Sequence, residues 1–136
     1  MKTMTRAALV TLSMLVAAPA FALEPIRENK KIYDTLLQGF IGDQIADNCP
    51  TIEARTLCAL GELNKLKNYA LGLGYTTAEV RAFVTDKSEK ARAKADAAAW
   101  LKAKGAEPGK TDVYCTVGEE EIARNSLIGY LLRSTK

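Results

Sequence analysis

The stretch PTIEARTLCALGELNKLKNYALGLG, Pro50–Gly74, decides the fold class. Within it Ile52, Thr56, Ala59, Leu63, Leu66, Ala70 and Leu73 follow one another at alternating spacings of four and three residues. That alternation keeps one face of an α-helix apolar over about three heptads. Pro50 suits a first helical turn, where its missing N–H costs no hydrogen bond, and Gly72 and Gly74 supply the stop. The seam reads as the inner face of an intramolecular bundle, with an intermolecular coiled coil as the alternative.

Upstream, between about Glu28 and Ala46, two sets recur every four residues: Ile32, Leu36 and Phe40, and Tyr33, Leu37, Ile41 and Ile45. Together they cover nearly half the circumference, which predicts a largely buried helix. Gly39 and Gly42 weaken it, by up to about 1 kcal/mol each relative to Ala, and offer close approach to a neighbouring backbone. Downstream, Thr76 and Glu79 form a capping box that opens a third helix ending at Gly105. Its face begins with Val80, Phe83 and Val84 and continues through the small residues Ala91, Ala95 and Ala98 to Leu101. Asp86–Lys90 and Glu89–Arg92 support its exposed side. Pro108, Gly109 and Asp112 mark a loop. A fourth segment is predicted from near Gly118, with Glu119, Glu120 and Glu121 in its first turn, where negative charge favours the helix dipole. Ile122, Ile128, Leu131 and Leu132 face inward, with an interruption at Asn125-Ser126. No stretch alternates as a strand does. The expectation is an all-α, four-helix bundle-like domain over residues 23–136.

Residues 1–22 read as a secretory signal peptide. Lys2 and Arg6 form a positive start, Ala7–Ala18 is an apolar run, Pro19 breaks it, and Ala20-Phe21-Ala22 fits a cleavage site after Ala22. About a dozen apolar residues fall short of the roughly 20 that span a bilayer, so an uncleaved anchor is the weaker reading. No cysteine follows the expected cut, which argues against lipid attachment there. The destination expected is the periplasm, an oxidising compartment.

Charge excludes further classes. The chain of 136 residues carries 19 Lys and Arg against 16 Asp and Glu; without Lys2 and Arg6 the count is 17 against 16, so no polyanion or nucleic-acid binding is expected. Histidine is absent, which removes imidazole bases and ligands. There is no phosphate-binding glycine loop, no nucleophile elbow and no C-x-x-C pair. Glu119, Glu120 and Glu121 point in different directions on a helix, so the run is not a cation site. No enzyme activity, cofactor or metal is expected.

Three cysteines remain. Cys49 and Cys58 in one helix would stand roughly 13 Å apart, too far for a disulfide unless the helix starts late. Cys115 therefore pairs with one of them. Cys49–Cys115 is preferred, because both lie at or just before predicted helix starts, in connections that adjust to bond geometry. The bond would close 66 residue steps, worth roughly 4 kcal/mol on chain-entropy grounds. Cys58 is then a free, partly buried thiol: a small apolar filler, or alternatively a redox or intermolecular site.

Two features are candidates for partner contact. Lys87, Lys90, Arg92, Lys94, Lys102 and Lys104 make the third helix basic, which reads as a solvated face or as a weak contact with a membrane surface or an acidic partner. Trp100 lies about 160° from Val80 and Val84 on a straight helix. It packs on the loop around Val113 and Tyr114, or else stands as an anchor for a partner.

Asn48-Cys49-Pro50-Thr51-Ile52, Ala59-Leu60, Leu63, Gly74-Tyr75-Thr76 and Glu79 to Val84 together resemble an uncharacterised family of small exported alphaproteobacterial proteins. Tyr114-Cys115, Gly118, Glu121-Ile122 and Ser126-x-Ile128-Gly129-x-Leu131-Leu132-Arg133 continue the resemblance over nearly all of the chain after residue 22. The family has no assigned function, so no catalytic residue carries over. The resemblance implies roles for Cys49 and Cys115, not for Cys58. It also associates the genes with the cluster for proton-pumping NADH dehydrogenase, respiratory complex I. The function expected is a non-enzymatic accessory protein that binds another periplasmic or membrane-complex protein. The alternatives are a periplasmic immunity protein against a secreted toxin, an acid-stress chaperone and a redox carrier using Cys58. For a chaperone, the absent histidine leaves acid sensing to carboxylates.

Overall fold

The computed structural model describes residues 22–136; the expected signal peptide lies outside them apart from Ala22. A short 3-10 turn, Ile26–Glu28, leads into helix α1, Lys30–Asn48. Then come strand β1, Ile52–Ala54, and helices α2, Thr56–Leu73, α3, Thr77–Thr85, α4, Lys87–Ala103, α5, Thr111–Ala123, and α6, Leu127–Tyr130. Strand β2, Leu132–Ser134, closes the order. The fold is all-α in class and is stapled by one disulfide, Cys49–Cys115, with Cα atoms 5.1 Å apart. None of the described helices is long and apolar enough to cross a membrane.

α1 is the central element. Asn29 caps it by accepting from the Ile32 N–H at 3.1 Å. Its apolar positions feed two clusters. Ile41, Ile45 and the cap residue Cys49 meet Ala97 and Leu101 of α4, Tyr114 and Val117 of α5, and Ile52, Ile128 and Leu132. Ile32 meets a smaller cluster of Leu66, Ala70, Tyr75 and Phe83.

Three predicted boundaries differ, for reasons of packing or capping. α2 begins at Thr56, not at Pro50, because Ile52–Ala54 pairs antiparallel with Leu132–Ser134. The extended backbone delivers Ile52 to the larger cluster, 2% exposed, where a helix starting at Pro50 would have aimed it along α2. The third predicted helix is two. Asp86 ends α3 and caps α4, accepting from the Glu89 N–H at 2.8 Å and the Ser88 hydroxyl at 2.6 Å. Its carboxylate thus serves the cap instead of Lys90, whereas Glu89 does pair with Arg92 at 2.8 Å and with Arg27 at 3.2 Å.

α5 starts at Thr111, seven residues before the predicted Gly118, so Cys115 sits inside a helix and not ahead of one. Gly118 is an interior helix position where a Cβ would fall 2.4 Å from Ile52 Cδ1 and 2.7 Å from Ile45 Cγ2. Close approach, not a helix start, explains that glycine. The glutamates therefore lie in the second half of α5, and the dipole account of them is overturned. The interruption at Asn125-Ser126 is present, with Ser126 capping α6 by accepting from the Gly129 N–H at 3.0 Å.

Candidate functional site

The seam that defines α2 is only partly covered. Leu66 and Ala70 reach the smaller cluster. Nearer the start of the helix Leu63 remains 48% exposed. Leucines outside the seam are more open still, Leu57 at 84% and Leu60 at 57%. Lone exposed leucines are ordinary, but a contiguous apolar surface marks a binding site.

At Leu63 the exposed surface of α2 meets α1, which runs beside it. Leu36 and Phe40 are half-buried on the α1 face turned to α2, with Gly39 between them. A cavity of about 170 Å³ is walled by Leu36, Gly39 and Phe40 on one side, by Ala59 and Leu63 on the other, and by Leu131 at its end. A second cavity, of about 210 Å³, continues between α1, α3 and α4, walled by Tyr33, Phe83, Val84 and Ala93. Leu36, Phe40 and Leu63 line both, so these side chains stand between the two halves of an apolar trough along α1. A Cβ added at Gly39 would meet no atom within 4 Å, whereas one at Gly42 would touch Leu131 and Leu132 at 3.9 Å. One glycine opens the trough and the other lets the C-terminal segment lie against α1.

Polar groups stand only at the rim. Asp43 and Glu62 border the first cavity, Glu89 and Lys90 the second. Glu62 holds Lys65 at 2.6 Å. Partial desolvation, together with the negative charge of Asp47, holds the Asp43 carboxyl above its ordinary range, and Lys94 opposes this only in part. Among the described residues neither Asp43 nor Asp47 forms a salt bridge.

The residues singled out for partner contact do not form one patch. Lys87, Lys90 and Lys94 are exposed on α4. Lys90 reaches the trough rim, and the Lys94 carbonyl accepts from Gln44 Nε2 at 2.9 Å. Trp100 and Val113 are each half-buried against the larger cluster, and the Lys104 ammonium stands 4.7 Å from the Trp100 ring centre. Cys58 is a free thiol, half-buried on α2. The periodicity of α2 pointed to a seam but not to the trough.

A second constellation is a clasp. Glu121 is 2% exposed, and its carboxylate accepts from Arg124 at 2.7–3.0 Å and from the Ser126 hydroxyl. A Cβ on Gly129 would lie 2.0 Å from the Glu121 carbonyl oxygen. Glu121, Arg124, Ser126 and Gly129 thus fold α6 back on the end of α5. The carboxylate's bonding is taken up within the turn, which gives it a structural role. No three His, Cys, Asp or Glu residues among those described are grouped to hold a metal ion.

No curated protein and no solved structure shows significant similarity to the chain. One family does: the model of DUF5333, a family of unknown function, matches residues 24–133, which span both clusters, the disulfide and the clasp. The chain belongs to that family.

Proposed function

We propose that this is a non-enzymatic exported protein that acts by binding another protein in the periplasm, as an accessory factor of a membrane-bound complex. The observation that carries the proposal is the open apolar trough lined by Leu36, Phe40 and the exposed Leu63. Water-exposed apolar surface of that continuity is stabilised by a partner that covers it. The disulfide is compatible with export. The resemblance to exported alphaproteobacterial proteins whose genes accompany respiratory NADH dehydrogenase makes complex I the partner to test first.

The test is affinity purification of the C-terminally tagged chain from its host after mild crosslinking, with mass spectrometry of the retained proteins. Stoichiometric complex I subunits would support the accessory role. A single toxin-like protein would replace it with immunity. No specific protein at all would overturn stable protein binding.

A further inference from the structure

We propose that residues 56–85, helices α2 and α3 with the turn between them, form a hinged arm that opens and closes over α1 as one unit while the disulfide-stapled body stays folded. Opening lengthens the apolar face of α1 that borders the trough. The proposal concerns the protein on its own and stands whether or not a partner binds.

The core divides at the arm. Among the described residues the larger cluster, which joins α1, α4, α5, α6 and both strands, takes none from α2 or α3. The fully buried residues of the arm, Leu66, Ala70, Tyr75 and Phe83, all belong to the smaller cluster and close there on Ile32 of α1. The cavities of about 170 and 210 Å³ both lie between the arm and α1, with Leu63 of the arm on the wall of each. Atoms that line a void lack contacts on one side, so the arm is held less firmly than a filled core would hold it.

Polar ties are few. Among the described residues no salt bridge joins the arm to the rest of the chain. No backbone hydrogen bond among them does so beyond the junction residues Arg55 and Asp86. The Tyr75 hydroxyl donates to the Glu24 carbonyl at 2.9 Å, and the Lys31 ammonium stands 3.9 Å from the Tyr69 ring centre. The body has ties of its own. Gln44 Nε2 donates to the Lys94 carbonyl at 2.9 Å, and the Arg92 guanidinium lies 4.1 Å from the Tyr33 ring centre, so α4 is held to α1 without the arm.

Both junctions suit hinges. The Arg55 N–H donates to the Leu131 carbonyl at 2.8 Å, and its guanidinium to the Tyr130 carbonyl at 3.1 Å. Asp86 is fixed to α4 as its cap. Each is a single non-helical residue anchored on the body, where a change in φ and ψ moves a whole helix. The turn within the arm needs nothing from the body: Gly74, at φ 106°, ends α2, and the Thr76–Glu79 capping box opens α3. Neither Cys49 nor Cys115 lies in the arm, so opening leaves their bond intact. It uncovers Ile32, 2% exposed when closed and in line with Leu36 and Phe40 at intervals of four residues. A region held by few buried contacts opens at a lower free energy than the whole molecule unfolds.

Amide hydrogen exchange followed by NMR on the purified, oxidised protein tests this. The amides of α2 beyond its first turn and of the last turn of α3 should share one protection, at least about tenfold below that of Ile45, Leu101 and Val117. One substitution at two places on α1 then separates arm from body. Ile45→Val loosens the body equally in the closed and open forms, so it should speed exchange of the body about two- to tenfold and leave the arm unchanged. Ile32→Val weakens a contact made only in the closed form, so it should speed arm and body alike, again about two- to tenfold. A common protection for arm and body, unequal protection of α2 and α3, or faster arm exchange in Ile45→Val would each overturn the proposal.

Discussion

Gly39 and Gly129 are both helical glycines, and the same substitution should move them in opposite directions. Gly39→Ala adds a methyl group where nothing lies within 4 Å and removes a helix-weakening residue, so stability should rise by about 0.5–1 kcal/mol. Gly129→Ala places a Cβ on the Glu121 carbonyl oxygen, and a backbone atom gives way less readily than a side chain. The cost should reach about 3 kcal/mol, the upper end for overpacking. Urea unfolding midpoints decide both, and a wild-type midpoint for the Gly129 variant would refute the clasp. Sequence spacing marked Gly39 and Gly42 as sites of close approach. Only Gly42 is one, because the neighbour that arrives, Leu131–Leu132, is distant in sequence and meets one turn of α1 and not the next. Glu121 was legible only as one of three successive glutamates. Its burial depends on Arg124 and Ser126 closing over it, which no periodicity displays.

Elements with strong local signals stand where their sequences put them. The capping box of Thr76 and Glu79 is complete, with the Glu79 N–H donating to Thr76 Oγ1 at 3.1 Å and the Thr76 N–H donating to Glu79 Oε2 at 2.7 Å. Thr76→Ala should cost about 1 kcal/mol in thermal or urea unfolding. Asp86 carries the second cap. The Ser88 hydroxyl first, and then the Glu89 N–H, hold its carboxyl below the ordinary 3.8, and the backbone N–H of Thr76 does the same for Glu79 below 4.5. Folding therefore favours the ionised forms. Their stabilisation is fully present above those ordinary values and is lost as pH falls through the depressed folded ones. Asp86→Asn keeps a capping oxygen without a titrating group. Its far-UV signal should match wild type at neutral pH and decline less steeply below pH 3.8; superimposable acid titrations would contradict the charged cap. The starts of α2 and α5 were misplaced for one reason. Local preference allowed a helix at Pro50 and a break before Gly118, but pairing of Ile52–Ala54 with Leu132–Ser134, and packing of Ile52 on Gly118, outweigh preferences of a few tenths of a kcal/mol per residue.

For the whole molecule the disulfide is the longest covalent constraint. It joins the C-terminal cap of α1 to α5 across 66 residues. Replacing both Cys49 and Cys115 with Ala should cost about 2–5 kcal/mol, read as a lower urea midpoint matched by the reduced wild-type protein. Cys58→Ser, at a half-buried thiol outside the bond, should leave that midpoint close to wild type. An unchanged midpoint in the double variant would mean that the two clusters hold α1 and α5 together without the bond.

The sequence by itself determined the helical class and the break before α6, which follow from helical periodicity and a local interruption, both short-range. It also named the Cys49–Cys115 bond and the free Cys58, but not their reason: Cys49 caps α1 and Cys58 lies in α2, so no single helix separates them, and Cys115 sits inside α5. Tertiary structure alone decided the two short strands, the division of α3 from α4, the clasp around Glu121 and the trough along α1. A helical pattern states which side of a segment is apolar but not how much of that side another segment will cover. On α2 one unbroken seam has Leu66 and Ala70 buried and Leu63 48% exposed, because Ile32, Tyr75 and Phe83, from outside that helix, cluster with the former pair.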